Sequence, residues 1–278
     1  MTGRWLAGID AGGTLIKIAA EGVGGRILRC FPAGDEEQCG RWIRTHLKDA
    51  RLCFTGGSAI RLKDKLGLVR SPVVPEFEAS ARGVRALLRS RHPSVPGRFI
   101  LTNCGTGTSI HRVAPSGQKR LGGTGVGGGT LLGLAKLMTG ESDFKTLMEL
   151  AAQGHRDQAD LTVAHIYEGA RPPIPGDLTA SNFGRVLENS RRISNADKVA
   201  AVIGMVAETI TSLTLFAARN EGLRTAVFIG SIFADNPVMK NTVHRYCSLC
   251  SLESLIPENG RFSGAVGAYL MLREKSSL

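Results

Sequence analysis

Aromatic side chains are scarce: Phe, Trp and Tyr make up only 5% of the 278 residues, with two Trp and three Tyr. None interleaves with the densest basic run, ARGVRALLRSRHPSVPGR (81–98). A stacking surface for bases needs such aromatics, so the net charge of +11 is not read as a nucleic-acid footprint. Arg82 to Arg98 fits the solvated side of an amphipathic helix, and an anionic small molecule accounts for the sign of the charge equally well. Long apolar runs are also missing. No segment approaches the roughly 18 consecutive apolar residues of a membrane span, and MTGRWLAGIDAGG is too short in apolar residues for a signal peptide. A cytoplasmic enzyme without membrane or nucleic-acid partners is the expectation. The six cysteines are scattered, unlike those of a stapled secreted domain. Cys247 and Cys250 form a single CxxC near His244 with no second pair, which favours reduced thiols over a zinc or redox centre.

Glycine, by contrast, is abundant, with 35 residues. In LGGTGVGGGTLLGLAK (121–136), six of the eight positions from Gly122 to Gly129 are glycine. Each costs roughly 0.5–1 kcal/mol relative to alanine in a regular element, so close approach of backbone to a ligand is the leading explanation. Gly123, Gly125 and Gly128 match a dinucleotide fingerprint, with Asp143 about 20 residues on. The context is wrong, because a helix follows where a βαβ unit should continue, and Asp143 sits at a helix start. The Walker pattern fails as well, since no Lys-Ser or Lys-Thr follows the glycines. A glycine loop running into a helix near Gly129, with free N–H groups aimed at a phosphate, is the better reading.

Strand and helix signals run in a repeated order. WLAGID (5–10), LIKIAAE (15–21) and RILRCF (26–31) read as three strands. EEQCGRWIRTHL reads as a helix, RLCFTGG as a strand, LVRSPVVPE as an extended stretch, and a helix runs through about Ser90. After the break PSVPG (93–97) the order restarts with FILTNCGTGTSIHRVA (99–114), two strands about a GTGT turn, and then KRLGG. Helices are expected at 129–139, 143–153, around 159–168 and at about 196–220. A strand at 225–231, a helix, a strand near 251–256 and a final helix from Ser263 complete the chain. Two halves that each open with paired strands across a Gly/Thr turn suggest an internal duplication, with domains at 1–95 and 96–278.

The chemistry-bearing residues sit at those turns. Asp10, beside Gly12, Gly13 and Thr14, can hold Mg²⁺ directly or through water, while the glycine N–H groups and Lys17 suit phosphate. Gly105-Thr-Gly-Thr-Ser109 repeats that chemistry, and two such loops could grip a triphosphate from both sides; each alone is also an ordinary hairpin. Glu76 and Glu78 in PEFEASARG either favour a helix N-terminus or supply a general base. Glu208, amid GMVAETITSLTL, reads as a buried, paired carboxylate. Arg120 has a surface reading and one in which it neutralises phosphate charge.

DAGGTLIK, TGG, PEFEA, NCGTGTSIH, the glycine loop, PPIPGDLTASNFG, FIGSIF and NGRFSGAVGAYL occur in the order found in type II pantothenate kinases, which the chain resembles from about Gly8 to Leu270, most closely the short bacterial branch. The resemblance implies an α/β fold of two ribonuclease-H-like domains of the acetate and sugar kinase/hsp70/actin type, with ATP in the cleft. It implies transfer of the γ-phosphate to the 4′-hydroxyl of pantothenate, the first step of coenzyme A synthesis. By position, Glu76 is implied as catalytic base, and Asp10, Ala11, Gly12, Gly13, Thr14, Leu15, Ile16 and Lys17 as phosphate and Mg²⁺ binders, with Asp10 toward the metal. Thr106, Gly128, Gly129, Thr130, Leu131, Leu132, Phe144 and Ser231 are implied at the nucleotide. Arg120 is implied to contact pantothenate or the transferring phosphoryl group. The family's homodimers imply that Thr179, Ala180 and Tyr246 reach the neighbouring subunit's pantothenate. Pro75 before the key Glu, and Phe144 in place of a tyrosine, depart from the pattern. Two alternatives stand beside this reading: a sugar or amino-sugar kinase of the same fold, and a nucleotide-binding regulator without catalysis.

Overall fold

In the computed structural model, which describes residues 5–89, 97–189 and 193–274, the chain builds two mixed sheets of matching topology. The boundary at 95/96, most of the PSVPG break and Ser90 lie outside the described residues. β1 (Leu6–Ala11), β2 (Leu15–Gly22) and β3 (Gly25–Pro32) form an antiparallel meander, α1 (Glu36–His46) crosses over, and β4 (Arg51–Thr55) adds parallel to β1. The sheet order is β3-β2-β1-β4. After α2 (Ala59–Lys65) and α3 (Glu76–Arg89), the pattern repeats with β5 (Phe99–Cys104), β6 (Thr108–Ala114) and β7 (Gly117–Thr124). Next come α4 (Gly128–Thr139), α5 (Phe144–Gln153), β8 (Leu161–Thr162), α6 (Val163–Tyr167), β9 (Thr179–Ser181) and α7 (Val186–Asn189). α8 (Asn195–Asn220), β10 (Thr225–Ile229), α9 (Pro237–Leu249), β11 (Glu253–Leu255) and α10 (Ser263–Glu274) end the chain. The second sheet runs β11-β10-β5-β6-β7, with β10 parallel to β5. A meander followed by a parallel strand beside its first member occurs in both halves, which is the duplication heard in the sequence.

Period-two alternation decides which residues face which layer. In β1, Ala7, Ile9 and Ala11 pack with Ile43 of α1 and Leu62 of α2, while Gly8 and Asp10 point to the other face, against α10. There a Cβ on Gly8 would lie 1.8 Å from the Ala265 carbonyl oxygen. Phe99 and Leu101 of β5 meet Ala81, Val84 and Leu88 of α3, and Ile100 and Cys104 join the large core under α4, α5, α8 and α9. The two long-range helices are thus exchanged: α3, from the first half, packs on the second sheet, and α10, from the end of the chain, packs on the first. They cross each other at bare backbone. A Cβ on Gly83 would lie 1.8 Å from the Ser263 carbonyl oxygen, and one on Gly267 would lie 1.7 Å from that of Ala79.

Local signals place the helix starts. Asp35 caps α1 by accepting from the Gln38 N–H, Ser194 accepts from Asp197 N–H, and Asp143 accepts from Thr146 N–H at 2.9 Å. Asp143 is therefore an N-cap, as the rejected dinucleotide fingerprint required. Two expectations change. α8 is by length and composition apolar enough to cross a bilayer. It is mostly buried, in the core with Leu147 and Phe228, which accounts for its composition. The helix expected around 159–168 is only α6, preceded by a turn at Arg156–Gln158 and the two-residue β8, because Thr162 caps a helix that starts late.

Candidate active site

A cavity of about 560 Å³ opens between the two sheets, a size that suits a small-molecule ligand. Its floor is the two Gly/Thr hairpins. The β1–β2 turn contributes Gly12, Gly13 and Thr14, and the β5–β6 turn contributes Gly105, Thr106 and Gly107. They touch, with the Thr14 and Thr106 hydroxyls 3.1 Å apart. Leu15 and Lys17 also line the cavity, whereas Ala11 and Ile16 are buried in the core of the first sheet and present only backbone toward the turn.

Asp10 stands at the end of β1 on the α10 face. It is 9% exposed and lies 3.6 Å from its register partner Lys17. Burial raises its pKa above the usual carboxylate value, against the opposing pull of Lys17. Two glycines make room for it: a Cβ on Gly56 would sit 2.7 Å from Asp10 Oδ1, and one on Gly264 would sit 2.7 Å from Oδ2. Gly56 is also left-handed, with φ +94°, so glycine is required there twice over.

Glu76 opens α3 on the cavity wall. Burial, then the nearby Asp10 carboxylate, raises its pKa, with Lys17 and the Gly57 N–H acting against them. Glu78 instead pairs with Arg82 at 3.3 Å in the ordinary exposed manner. Phe77, next to Glu76, lines the cavity and leans on His111, ring centroids 4.5 Å apart. His111 is buried, with Nδ1 2.8 Å from Gln118 Oε1. Arg120 is exposed on β7 and does not line the cavity; its guanidinium lies against Gly123, where a Cβ would be 3.0 Å from Nη2. Its charge, after burial, helps lower the His111 pKa.

The glycine-rich stretch is resolved into two parts. Gly122, Gly123 and Thr124 belong to β7, and only from Gly125 does a loop begin. The helix N-terminus does not offer the free N–H groups expected of it. Gly128 N–H donates to the Gly105 carbonyl at 2.9 Å, and Gly129 N–H to that of Thr106 at 2.8 Å. A Cβ on Gly127 would fall 2.8 Å from the Gly107 backbone, and one on Gly129 would fall 2.9 Å from Thr106 Cγ2. The bare backbone thus lets α4 clamp the GTGT turn from behind. Gly128, Leu132 and Phe144 reach the cavity; Gly129 and Thr130 do not line it, and Leu131 is fully buried in the core. Thr130 Oγ1 donates to the Gly125 carbonyl at 3.0 Å and holds the loop.

The opposite wall comes from the FIGSIF segment. Gly230, at φ +134° and with room for no Cβ (1.9 Å from the Cys104 carbonyl oxygen), turns Ser231 toward the cavity. The Ser231 hydroxyl is buried and has no partner among the described residues, an orphan that a ligand in the cavity would satisfy. Asn103, Asp235 and Arg261 also line the cavity and were not singled out from the sequence. Only the quoted FIGSIF and NGRFSG strings hinted at that wall.

Thr179, Ala180 and Tyr246 do not line this cavity. Thr179 belongs to a polar cluster on α8: its Oγ1 donates to Glu208 Oε1 at 2.7 Å, and Arg156 Nη2 donates to the same oxygen at 2.6 Å. Glu208 is thereby the paired carboxylate foreseen. Burial, with the Glu208 charge beside it, raises the Tyr246 phenol, and Ala180 is exposed on β9.

Fold and cleft together define a class, the two-unit α/β proteins of the actin/hsp70/sugar-kinase type. Two solved structures share the fold: an activator of 2-hydroxyisocaproyl-CoA dehydratase from Clostridium difficile with bound ADPNP (TM-score 0.63, 16% identity, covering 98% of this chain and 97% of that one), and a ROK family glucokinase from Streptomyces griseus with glucose and AMPPNP (0.56, 14%, 97% and 99%). The Fumble family matches residues 88–271. The type II pantothenate kinase of Staphylococcus saprophyticus is 41% identical over 94% of this chain and 98% of its own length. Those of Staphylococcus haemolyticus and Staphylococcus aureus (strain USA300) are 40% and 38% identical, each over 94% of this chain and 97% of their own. The chain belongs to the type II pantothenate kinase family.

Proposed function

We propose that this chain transfers the γ-phosphoryl group of ATP to the 4′-hydroxyl of pantothenate, the opening step of coenzyme A synthesis, in the cytoplasm. The observation that carries the reading is the meeting of the two hydroxyl-bearing glycine hairpins, Thr14 to Thr106, in the same cavity as a half-buried Glu76 in a chain of this family. Phosphoryl transfer is chiefly positioning and charge neutralisation. Thr14, Thr106 and the hairpin amides hold the phosphates, Ser231 takes a nucleotide hydrogen bond, and Lys17 supplies charge. Glu76 accepts the proton of the attacking hydroxyl, and its raised pKa improves it as a base. Arg120, the register partner of His111 on β7 and outside the cavity lining, is assigned the contact with pantothenate or the transferring phosphoryl group.

Mg²⁺ fits this donor set as a phosphate-bound ion. Asp10 is one carboxylate among glycines, and no cluster of three or more His, Cys, Asp or Glu side chains is present among the described residues. Mg²⁺ commonly binds through one or two carboxylates, with waters and substrate phosphates completing the shell. When bound, it supplies neutralisation of the β- and γ-phosphate oxygens. We read the chain as two domains, 1–95 and 96–278, with α3 and α10 exchanged across the cleft. We also read it as a homodimer in which Thr179, Ala180 and Tyr246 serve the partner's pantothenate.

ADP release by the purified chain separates the readings. Release dependent on pantothenate is expected. Release dependent on N-acetylglucosamine or another sugar instead would make it a sugar kinase, and release indifferent to every hydroxyl acceptor would make it a regulator.

The clamp behind the GTGT turn gives a sharper test. Gly127 has extended backbone, φ 179°, that any residue adopts, so an alanine there acts only through the close approach to Gly107. Gly127→Ala should weaken ATP binding by about tenfold, the equivalent of about 1.4 kcal/mol. Gly125→Ala, whose Cβ meets nothing within 4 Å, should leave it unchanged. Isothermal titration with ATP checks both, and equal affinities would refute the clamp.

A further inference from the structure

The cavity lining holds three carboxylates, Asp10, Glu76 and Asp235, against two cations, Lys17 and Arg261. Lys17 is committed to Asp10. No carboxylate of the described residues lies within ion-pair distance of Arg261, which leaves it the one uncommitted positive charge among the described residues that line the cavity. A nucleoside triphosphate entering here adds to a surplus of negative charge, and beside a phosphate-bound Mg²⁺ this arginine is the lining group placed to offset it.

The location of Arg261 suits that task. It lies in the turn Gly260–Phe262 that leads into α10, half-buried, with its guanidinium carbon 5.1 Å from the centroid of the Phe262 ring. Phe262 is itself buried against Ala19, Leu87 and Val266, so the arginine rests on a fixed platform. Immediately beyond, Ser263 is locked by its hydroxyl donating to the Gly260 carbonyl at 2.7 Å, and Gly264 abuts the Asp10 carboxylate. Arg261 and Lys17 both bear electrostatically on Cys30, the register partner of Lys17 across β2 and β3. The arginine therefore stands at the Asp10–Lys17 end of the cleft, where the phosphates lie in the reading above. A guanidinium fork matches phosphate oxygens in a way that a point charge does not.

We infer that Arg261 is a phosphate-contacting residue, which engages the terminal phosphates of the nucleotide from the α10 side and offsets the carboxylates that line the cleft. This rests on the assignment of the cleft to ATP.

Calorimetric affinities for ATP, ADP and adenosine, with kcat and KM for ATP in the presence of pantothenate, test it on the full chain and on Arg261→Ala, Arg261→Met and Arg261→Lys. The methionine keeps an apolar stem over Phe262 and removes the charge, so it decides the matter if the alanine variant fails to fold. Charge removal should weaken ATP by on the order of tenfold and ADP less, and should leave adenosine unchanged. KM for ATP should rise by a similar factor, and lysine should recover part of the loss. ATP affinity within twofold of the parent in the methionine variant overturns the inference while leaving the ATP assignment intact. An equal loss for ATP and adenosine also overturns it and makes Arg261 a packing residue. A parent chain that binds no ATP removes the assignment itself.

Discussion

Replacing Glu76 with glutamine should lower turnover by about 10²–10⁴-fold and leave ATP affinity nearly unchanged. Glutamine preserves the shape and the contact with the Gly57 amide side of the pocket, but it cannot accept a proton from the substrate hydroxyl. The raised pKa adds a second expectation. The acid limb of the kcat/KM profile should lie above the ordinary glutamate range, because burial and Asp10 both hold the proton on Glu76 and only the carboxylate is active. Stability should move the opposite way to activity. A carboxyl group whose folded pKa is raised binds more protons in the native than in the unfolded state, so stability falls as pH rises from the ordinary glutamate value through the raised one. At neutral pH the ionised Glu76 therefore costs stability, and Glu76→Gln should unfold at the same or a higher temperature than the parent. That gain should vanish below the ordinary glutamate range, where both states are protonated. Thermal melts across pH beside steady-state rates check both halves. Near-normal turnover of the variant would dismiss Glu76 as the base.

Alanine at Gly267 or Gly83 should be among the most damaging single-methyl changes in the molecule. Each Cβ would lie under 2 Å from a carbonyl oxygen of the crossing helix, and neither partner is a flexible side chain that can swing away. Separating α3 from α10 forces shifts in both cores they complete, and overpacking of this kind costs about 3 kcal/mol or more. For a chain of this size that is a fall in melting temperature of about 6–12 °C. Activity should fall further than the loss of folded protein explains, because α3 carries Glu76 at its head and α10 carries Gly264 against Asp10. Differential scanning calorimetry, with activity normalised to folded protein, separates the two effects. An unchanged melting temperature would show that the helices can part freely.

The hairpins and helix starts were legible because their signals are local. Asp10 to Lys17 and Gly105 to Ser109 read as turns between strands from glycine and threonine alone, and Asp143 could be recognised as a cap within three residues. The repeat of paired strands about a Gly/Thr turn gave the succession of elements in both halves, while the parallel placement of β4 beside β1 and β10 beside β5 came only with the structure. The exchange of α3 and α10 was not legible, since it joins residues such as Gly83 and Ser263 that lie far apart in the chain and carry no local mark of their contact. The glycine stretch was misread in part for the same reason. Its cost is met by the Gly105 and Thr106 carbonyls, which sequence does not place beside it, so most of the stretch braces the turn that faces the cavity while Gly128 also lines it. The short α2 and the cavity residues Asp235 and Arg261 had no periodic pattern to announce them.

The exchange of helices also constrains how the molecule comes into being. Gly8, Ala19 and Cys53 lie on the face of the first sheet that is covered by Ala265, Tyr269 and Ala268, which follow them by more than 200 residues in the sequence. At about 5–20 residues per second, the stretch of roughly 200 residues between β4 and α10 takes on the order of 10–40 s to synthesise. Throughout that interval the nascent first half presents an unfinished apolar face, and only the emergence of α10 lets Gly264 seat against Asp10 and Gly267 against α3.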